Sequence, residues 1–265
     1  MSLINAALLP HSPLLIPEIG RANHLFLKKT SNAYKKIENE LQDRPADIVI
    51  IISPHGLNQD DSFTINTAPE MEISLRDFGF IPITTAFKGA TLMIDQIKNT
   101  LRPEYSLKLV SEKILDHGSA IPLYLLKNSI ANSKIIIISP AQNLSLENHL
   151  AFGKSLGKII RESDKNIAVI ASGDLSHRLK RKSPGGYSPK GTKFDNKIIE
   201  YLSNPETAEE NILKMDSNLI KEAAECGLKP LAIILGILKE YQWEPNILAY
   251  QTDFGIGYLS LSFKI

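Results

Sequence analysis

The 265-residue sequence holds a single cysteine, Cys226, so no internal disulfide can brace the fold, and a reducing, cytoplasmic setting is the expected one. Neither sign of charge is in excess, with 30 Lys and Arg against 29 Asp and Glu. That balance removes the field that would draw nucleic acid or an anionic membrane surface. No apolar run approaches the length of a membrane span. The opening Met1-Ser2-Leu3-Ile4-Asn5 has no basic residue, and Pro10, His11 and Pro13 break the apolar stretch that follows, so it does not read as a signal peptide. Low-complexity linkers are lacking too. With 43% hydrophobic and 22% charged residues, what is left is a soluble globular chain able to bury a core, and one domain over 1–265 is the simplest division.

What is present is an alternation. Runs rich in β-branched residues at Ile4–Leu9, Asp47–Ser53, Lys134–Ser139 and Asn166–Ser172 end abruptly in Pro, Gly, Ser or Asp, as strands buried on both faces tend to do. Between them, helical spacing predicts helices near 23–41, 89–100, 120–128, 145–162, 194–202 and 228–240. Residues 247–250 and 258–263 form a terminal hairpin around Asp253-Phe254-Gly255. The expected fold is therefore α/β, with a central, mostly parallel but mixed sheet flanked by helices. Residues 178–193, with two prolines, three glycines and many basic side chains, predict a long loop. It is either a solvated connection or a mobile flap over a site.

Four of the six histidines lie just beyond a strand or beside a helix start: His11 in Leu9-Pro10-His11-Ser12-Pro13, His55 in Ser53-Pro54-His55-Gly56, His117 in Asp116-His117-Gly118-Ser119, and His177 in Gly173-Asp174-Leu175-Ser176-His177. Open α/β sheets bind ligands outside the carboxyl ends of their strands, which would bring His11, His55 and His177 to one rim. A single loop histidine is more often structural; several at equivalent ends point to a site. A non-haem Fe(II) centre that activates O2 needs two imidazoles and a carboxylate on one face. Glu225, in Glu225-Cys226-Gly227-Leu228-Lys229-Pro230, is the candidate, although a carboxylate at a helix start is equally well explained as a cap. Asp116 and Asp174 read first as turn caps and second as partners that orient histidines. His24 and His149 read as polar-face helix residues without a role, and Tyr124 and Tyr187 as packing or surface residues.

Taken in order, these five motifs span nearly the whole chain, and together they resemble the LigB-type class III extradiol ring-cleaving dioxygenases and their Memo-like relatives. The resemblance implies a LigB-like fold, Fe(II) held by His11, His55 and Glu225, His177 as acid/base and His117 as a second histidine lining the pocket. It implies a catechol-like or aminophenolic substrate and O2 as reactants, ring opening as the outcome, and a homo-oligomer or partner subunit as an open question. Cys226-Gly227-Leu228-Lys229-Pro230 also fits the Memo-like pattern, in which a cysteine sits at the metal. That alternative implies zinc or copper and a redox or interaction role, and a zinc hydrolase on the same histidines is a third reading.

Overall fold

The computed structural model describes residues 2–57, 59–81 and 86–265. In chain order its elements are β1 (Leu3–Leu9), α1 (Pro17–Gly20), α2 (Lys28–Asp43), β2 (Ile48–Ile52), β3 (Phe63–Asn66), β4 (Glu70–Ile73), β5 (Ala86–Lys88), α3 (Thr91–Leu101), β6 (Leu107–Val110), β7 (Ile114–Leu115), α4 (His117–Leu126), β8 (Lys134–Ser139), α5 (Leu146–Arg161), β9 (Ile167–Ser172), α6 (Pro189–Leu202), α7 (Pro205–Leu213), α8 (Ser217–Ala223), α9 (Leu228–Leu238), β10 (Glu244–Gln251) and β11 (Tyr258–Lys264). The main sheet has the order β10-β11-β1-β9-β2-β8-β3-β6. Its centre, β1-β9-β2-β8, is parallel, while β11 and β10 are antiparallel at one edge and β3 runs antiparallel to β8. A second, smaller sheet has the order β5-β4-β7 and packs against one face of the first.

The central strands are apolar without alternation because helices cover both faces. On one face Ile50, Ile52, Ile136, Ile138 and Val169 join side chains of α3, α5, α6 and α9 in a buried cluster, where Phe63 stacks on Phe152 at 4.0 Å. On the other, Val49, Ile51, Ile135 and Ile170 meet α2, α4 and the small sheet. Among the described residues no helix is long and apolar enough to cross a membrane.

The mixed α/β architecture matches the sequence expectation, with differences that have local causes. The fourth helix starts at His117 rather than Ala120, because Asp116 accepts from Ser119 N at 3.0 Å and caps it there. The sixth helix starts at Pro189 rather than Phe194, with Ser188 as its cap and Pro at its first position. The remainder of the 178–193 loop is pinned: Leu179 N donates to Gly255 O, Gly185 N to His177 O and Ser188 N to Arg178 O. Most of its residues are exposed, as a solvated connection requires, while Pro184 and Gly185 reach the edge of a cavity described below. His149 is another correction. It is fully buried against Phe63, with both ring nitrogens close to carbonyl oxygens of Ala141 and Ser145, so it does not lie on a polar face.

Candidate metal centre

Three parallel neighbours place the chemistry. β1, β9 and β2 are adjacent and run the same way, so the residues just past their ends share one rim: His11 after β1, Asp174 and His177 after β9, and His55 after β2. His117, at the first position of α4, joins them by stacking on the His55 ring, with centroids 4.2 Å apart.

The His11 and His55 Nε2 atoms are 3.0 Å apart. The orientation of His11 follows from its other nitrogen, which lies 2.9 Å from Ser172 Oγ. That hydroxyl spends its only hydrogen on Gly118 O at 2.6 Å, so it must accept from His11 Nδ1–H, and Nε2 is left with a bare lone pair. Tyr34 OH fixes the approach to His11 from behind by donating to Pro10 O. Burial holds both imidazoles below the ordinary histidine range, His55 down to about 3, so both are neutral donors at neutral pH.

Asp174 binds the assembly together. Its Oδ1 accepts from the His11 backbone N–H at 3.3 Å, and its Oδ2 lies 3.7 Å from His11 Nε2 and 3.6 Å from His177 Nε2. Burial alone would raise its carboxyl, but the neighbouring His11 and His177 hold it below the usual carboxylate range. His177 Nδ1 donates to Ala224 O at 2.6 Å, which turns Nε2 towards Asp174. Burial works against the imidazolium of His177, and Asp174 outweighs it and raises the group above its ordinary value.

The ligand atoms of His11, His55 and His117 lie within 4.8 Å of one another, and so do those of His11, Asp174 and Cys226. Glu225 belongs to neither group. Its Oε2 accepts from Leu228 N at 2.6 Å at the start of α9, and burial raises its carboxyl to about 7. The next residue turns the other way, with Cys226 Sγ 3.6 Å from His11 Nε2. Burial and the nearby Asp174 charge push that thiol well up.

A cavity of about 450 Å³ opens in front of these groups, a size ordinary for a small-molecule site. Histidines 11, 55, 117 and 177 and Asp174 line one side; Pro13, Phe78, Ile256 and Tyr258 supply apolar walls, and Pro184 and Gly185 of the rim loop close the edge. Tyr187 is exposed, and Tyr124 lies under Lys127 beside Phe80. Sequence reasoning missed Ser172, Ser53 and Tyr34. The signal for the serines was available, since β8 and β9 end in Ser and Ser53 follows β2 directly; Ser53 Oγ donates to Asp116 Oδ1 at 2.5 Å.

The family model described as "Catalytic LigB subunit of aromatic ring-opening dioxygenase" matches residues 5–260. Protein CA_C1420 of Clostridium acetobutylicum is 31% identical over 97% of this chain, which spans 57% of that relative's length. The 3,4-dihydroxyphenylacetate 2,3-dioxygenase of Escherichia coli is 24% identical over 74% of each protein. A MEMO1 family protein of Sulfurisphaera tokodaii is 28% identical over 50% of this chain and 46% of its own length. The crystal structure of protein JW3007 from Escherichia coli K12 superposes with a TM-score of 0.70 over 98% of this chain and 99% of that one, at 18% identity. It shares the fold.

Proposed function

Because the chain belongs to the family of catalytic LigB subunits of aromatic ring-opening dioxygenases, we propose that it opens a catechol-like or aminophenolic ring with O2 at a divalent iron centre, within one catalytic domain. The observation that carries this reading is the pair of neutral Nε2 atoms of His11 and His55, 3.0 Å apart at the head of a cavity that a flat ring would fill.

The donor set fits a cation. Two nitrogens each ~2.1 Å from one ion and at right angles about it would stand ~3.0 Å apart. His11 is already held in the tautomer that offers its lone pair. We assign the ion to His11 and His55, and as third donor we propose Cys226, which groups with His11 and Asp174 rather than with His55 and would have to close on the ion, over Glu225, whose carboxylate is engaged by Leu228 N. When bound, a divalent iron would bring the ring oxygens and O2 together and ease deprotonation of the ring hydroxyl.

The protein's own groups do the rest. Pro13, Phe78, Ile256 and Tyr258 hold the ring flat and exclude water. His177 accepts the hydroxyl proton on Nε2 and returns it to an oxygen of the ring-opened product, which keeps both atoms of O2; Asp174 stabilises the charged imidazole between these steps. Ala224 O keeps Nδ1 protonated throughout, so the proton moves only at the nitrogen facing the cavity.

Anaerobic reconstitution with Fe(II), followed by oxygen-uptake assays against catechols, carboxylated catechols and aminophenols, tests this. Yellow ring-opened product with one O2 consumed per ring is the expected result. Bound iron with no uptake on any of these rings would refute it. The sulfur beside His11 favours one rival, a Memo-like zinc or copper site without ring cleavage. Elemental analysis of protein purified without added metal separates the two.

A further inference from the structure

Asp195 lies on α6, outside the donor set, and is fully buried. Its Oδ1 accepts from Ser176 N at 2.9 Å and its Oδ2 from Tyr250 OH, on β10, at 2.8 Å. A third element closes over it: a Cβ on Gly257 would stand 2.0 Å from Oδ2, so only glycine lets the entry to β11 pass there. Gly257 N in turn donates to Ser176 O at 2.9 Å, and Leu175 N donates to Gly257 O. Ser176 Oγ donates to Ala223 O and accepts from Arg178 N. The residue immediately before His177 is thus clamped from α6, β10, β11 and the end of α8, and Asp195 is the one charged group in the clamp.

We infer that Asp195 is a positioning residue for His177: by holding Ser176 N from beneath, it sets the register of the 174–178 turn that aims His177 Nε2 into the cavity, and its negative charge supports the imidazolium. The inference rests on the reading of His177 as the acid/base group. A carboxylate is a costly choice for packing alone. Burial raises Asp195 to about 6, against the opposing bonds from Ser176 N and Tyr250 OH and the charge of His177. At neutral pH it is therefore ionised where folding disfavours the charge, and an amide of the same shape would cost the fold less. A buried charge that costs stability in this way is characteristic of a working site. The other groups facing His177 are Asp174, Ala224 O and the more distant Glu225 charge, all of which act in the same direction.

The test is Asp195→Asn in the metal-loaded, full-length protein. The amide keeps the shape but accepts from Ser176 N only as a neutral group, so the charge-assisted part of that hold is lost, while Tyr250 can rotate to meet its NH2. We expect a melting temperature at pH 7.5 equal to or above that of the wild type, unchanged metal content, and kcat about 10-fold lower with KM within a factor of two, a fraction of the ~10²–10⁴ that an acid/base group supplies. We also expect His177, followed by NMR of labelled histidine, to titrate at lower pH. Wild-type kcat together with wild-type titration of His177 would overturn the inference. So would a loss of turnover that only tracks a fall in folded protein, with the titration unmoved. If the wild type opens no ring, the dioxygenase reading fails by itself, and the His177 titration in the variant still decides the role of Asp195.

Discussion

Gly173→Ala is the sharpest test of how the site is assembled. Gly173 leads out of β9 towards Asp174, and a Cβ there would stand 2.3 Å from the Gly227 Cα, about 1.1 Å inside the 3.4 Å at which ordinary contact begins. The obstacle is backbone, so no side chain can swing aside. The two turns are also stitched together, since Cys226 N and Gly227 N both donate to Asp174 O at 3.2 and 3.0 Å. Overpacking of a tight contact costs ~1–3 kcal/mol, and the rigid obstacle puts this case near the upper end. At ~2–4 °C per kcal/mol for a chain of this size, the melting temperature should fall by roughly 6–12 °C. The same ~1 Å separation moves Cys226 and Asp174 relative to His11, so metal affinity should drop at least ~10-fold, as when supporting residues around a metal are lost. Gly227→Ala is the control, because its Cβ would meet Asp174 O at 3.0 Å and Gly173 C at 3.3 Å, a strain of only tenths of an ångström. Calorimetry and metal titration of both variants give the answer. A Gly173→Ala protein that melts within ~2 °C of the wild type and keeps its metal affinity refutes the close approach.

His55→Ala should lose bound metal, whereas His177→Ala should keep it and lose turnover by ~10²–10⁴; metal analysis beside steady-state kinetics checks both, and retained metal in the first would contradict the assignment. Cys226→Ala should weaken metal binding while Glu225→Ala keeps it and costs ~1 kcal/mol of stability through loss of the bond to Leu228 N; the reverse pattern would restore Glu225 as a ligand. In the metal-free protein, burial holds His55 near 3 when folded against about 6.5 when unfolded, so the unfolded chain takes up a proton first as pH falls. That contribution to stability is present above pH ~6.5 and is lost on the way down to ~3. Urea melts at pH 7 and pH 5 should show a smaller loss for His55→Ala than for the wild type, and equal losses would refute the neutral, half-buried imidazole.

The strongest sequence signals were those with one physical cause. Runs such as Ile48–Ile52 and Lys134–Ser139 are apolar throughout because helices cover both faces, and no other placement suits them. Strands β3 to β7, between 63 and 115, escaped because they are short, carry polar and charged residues, and owe their pairing to partners distant in sequence, as Thr64 does to Ser139. Helices α7 and α8 escaped too, although Asn204 and Asp216 cap them in the usual way.

Within the site, the same distinction separates what periodicity can read from what it cannot. That His11, His55 and His177 share a rim follows from their position after parallel strands, and the order β1-β9-β2 makes those strands neighbours. The contribution of 225–226 comes instead from a turn before a helix, where adjacent side chains point in opposite directions. Composition favours the carboxylate, because two imidazoles and an acid make a familiar iron set. The structure sets a different geometry beside it: Glu225 Oε2 accepts the free N–H of Leu228 at 2.6 Å, while the next residue brings Sγ to 3.6 Å from His11 Nε2, which is the ground on which we propose the sulfur. Ala224, with φ of 50°, reverses the chain just before this turn and presents its carbonyl to His177 Nδ1. One left-handed residue thereby orients His177, the proposed acid/base group, just ahead of the turn that brings Cys226 Sγ to His11. A β-branched substitution there, Ala224→Val, should disturb turnover and metal binding together, since both depend on that reversal.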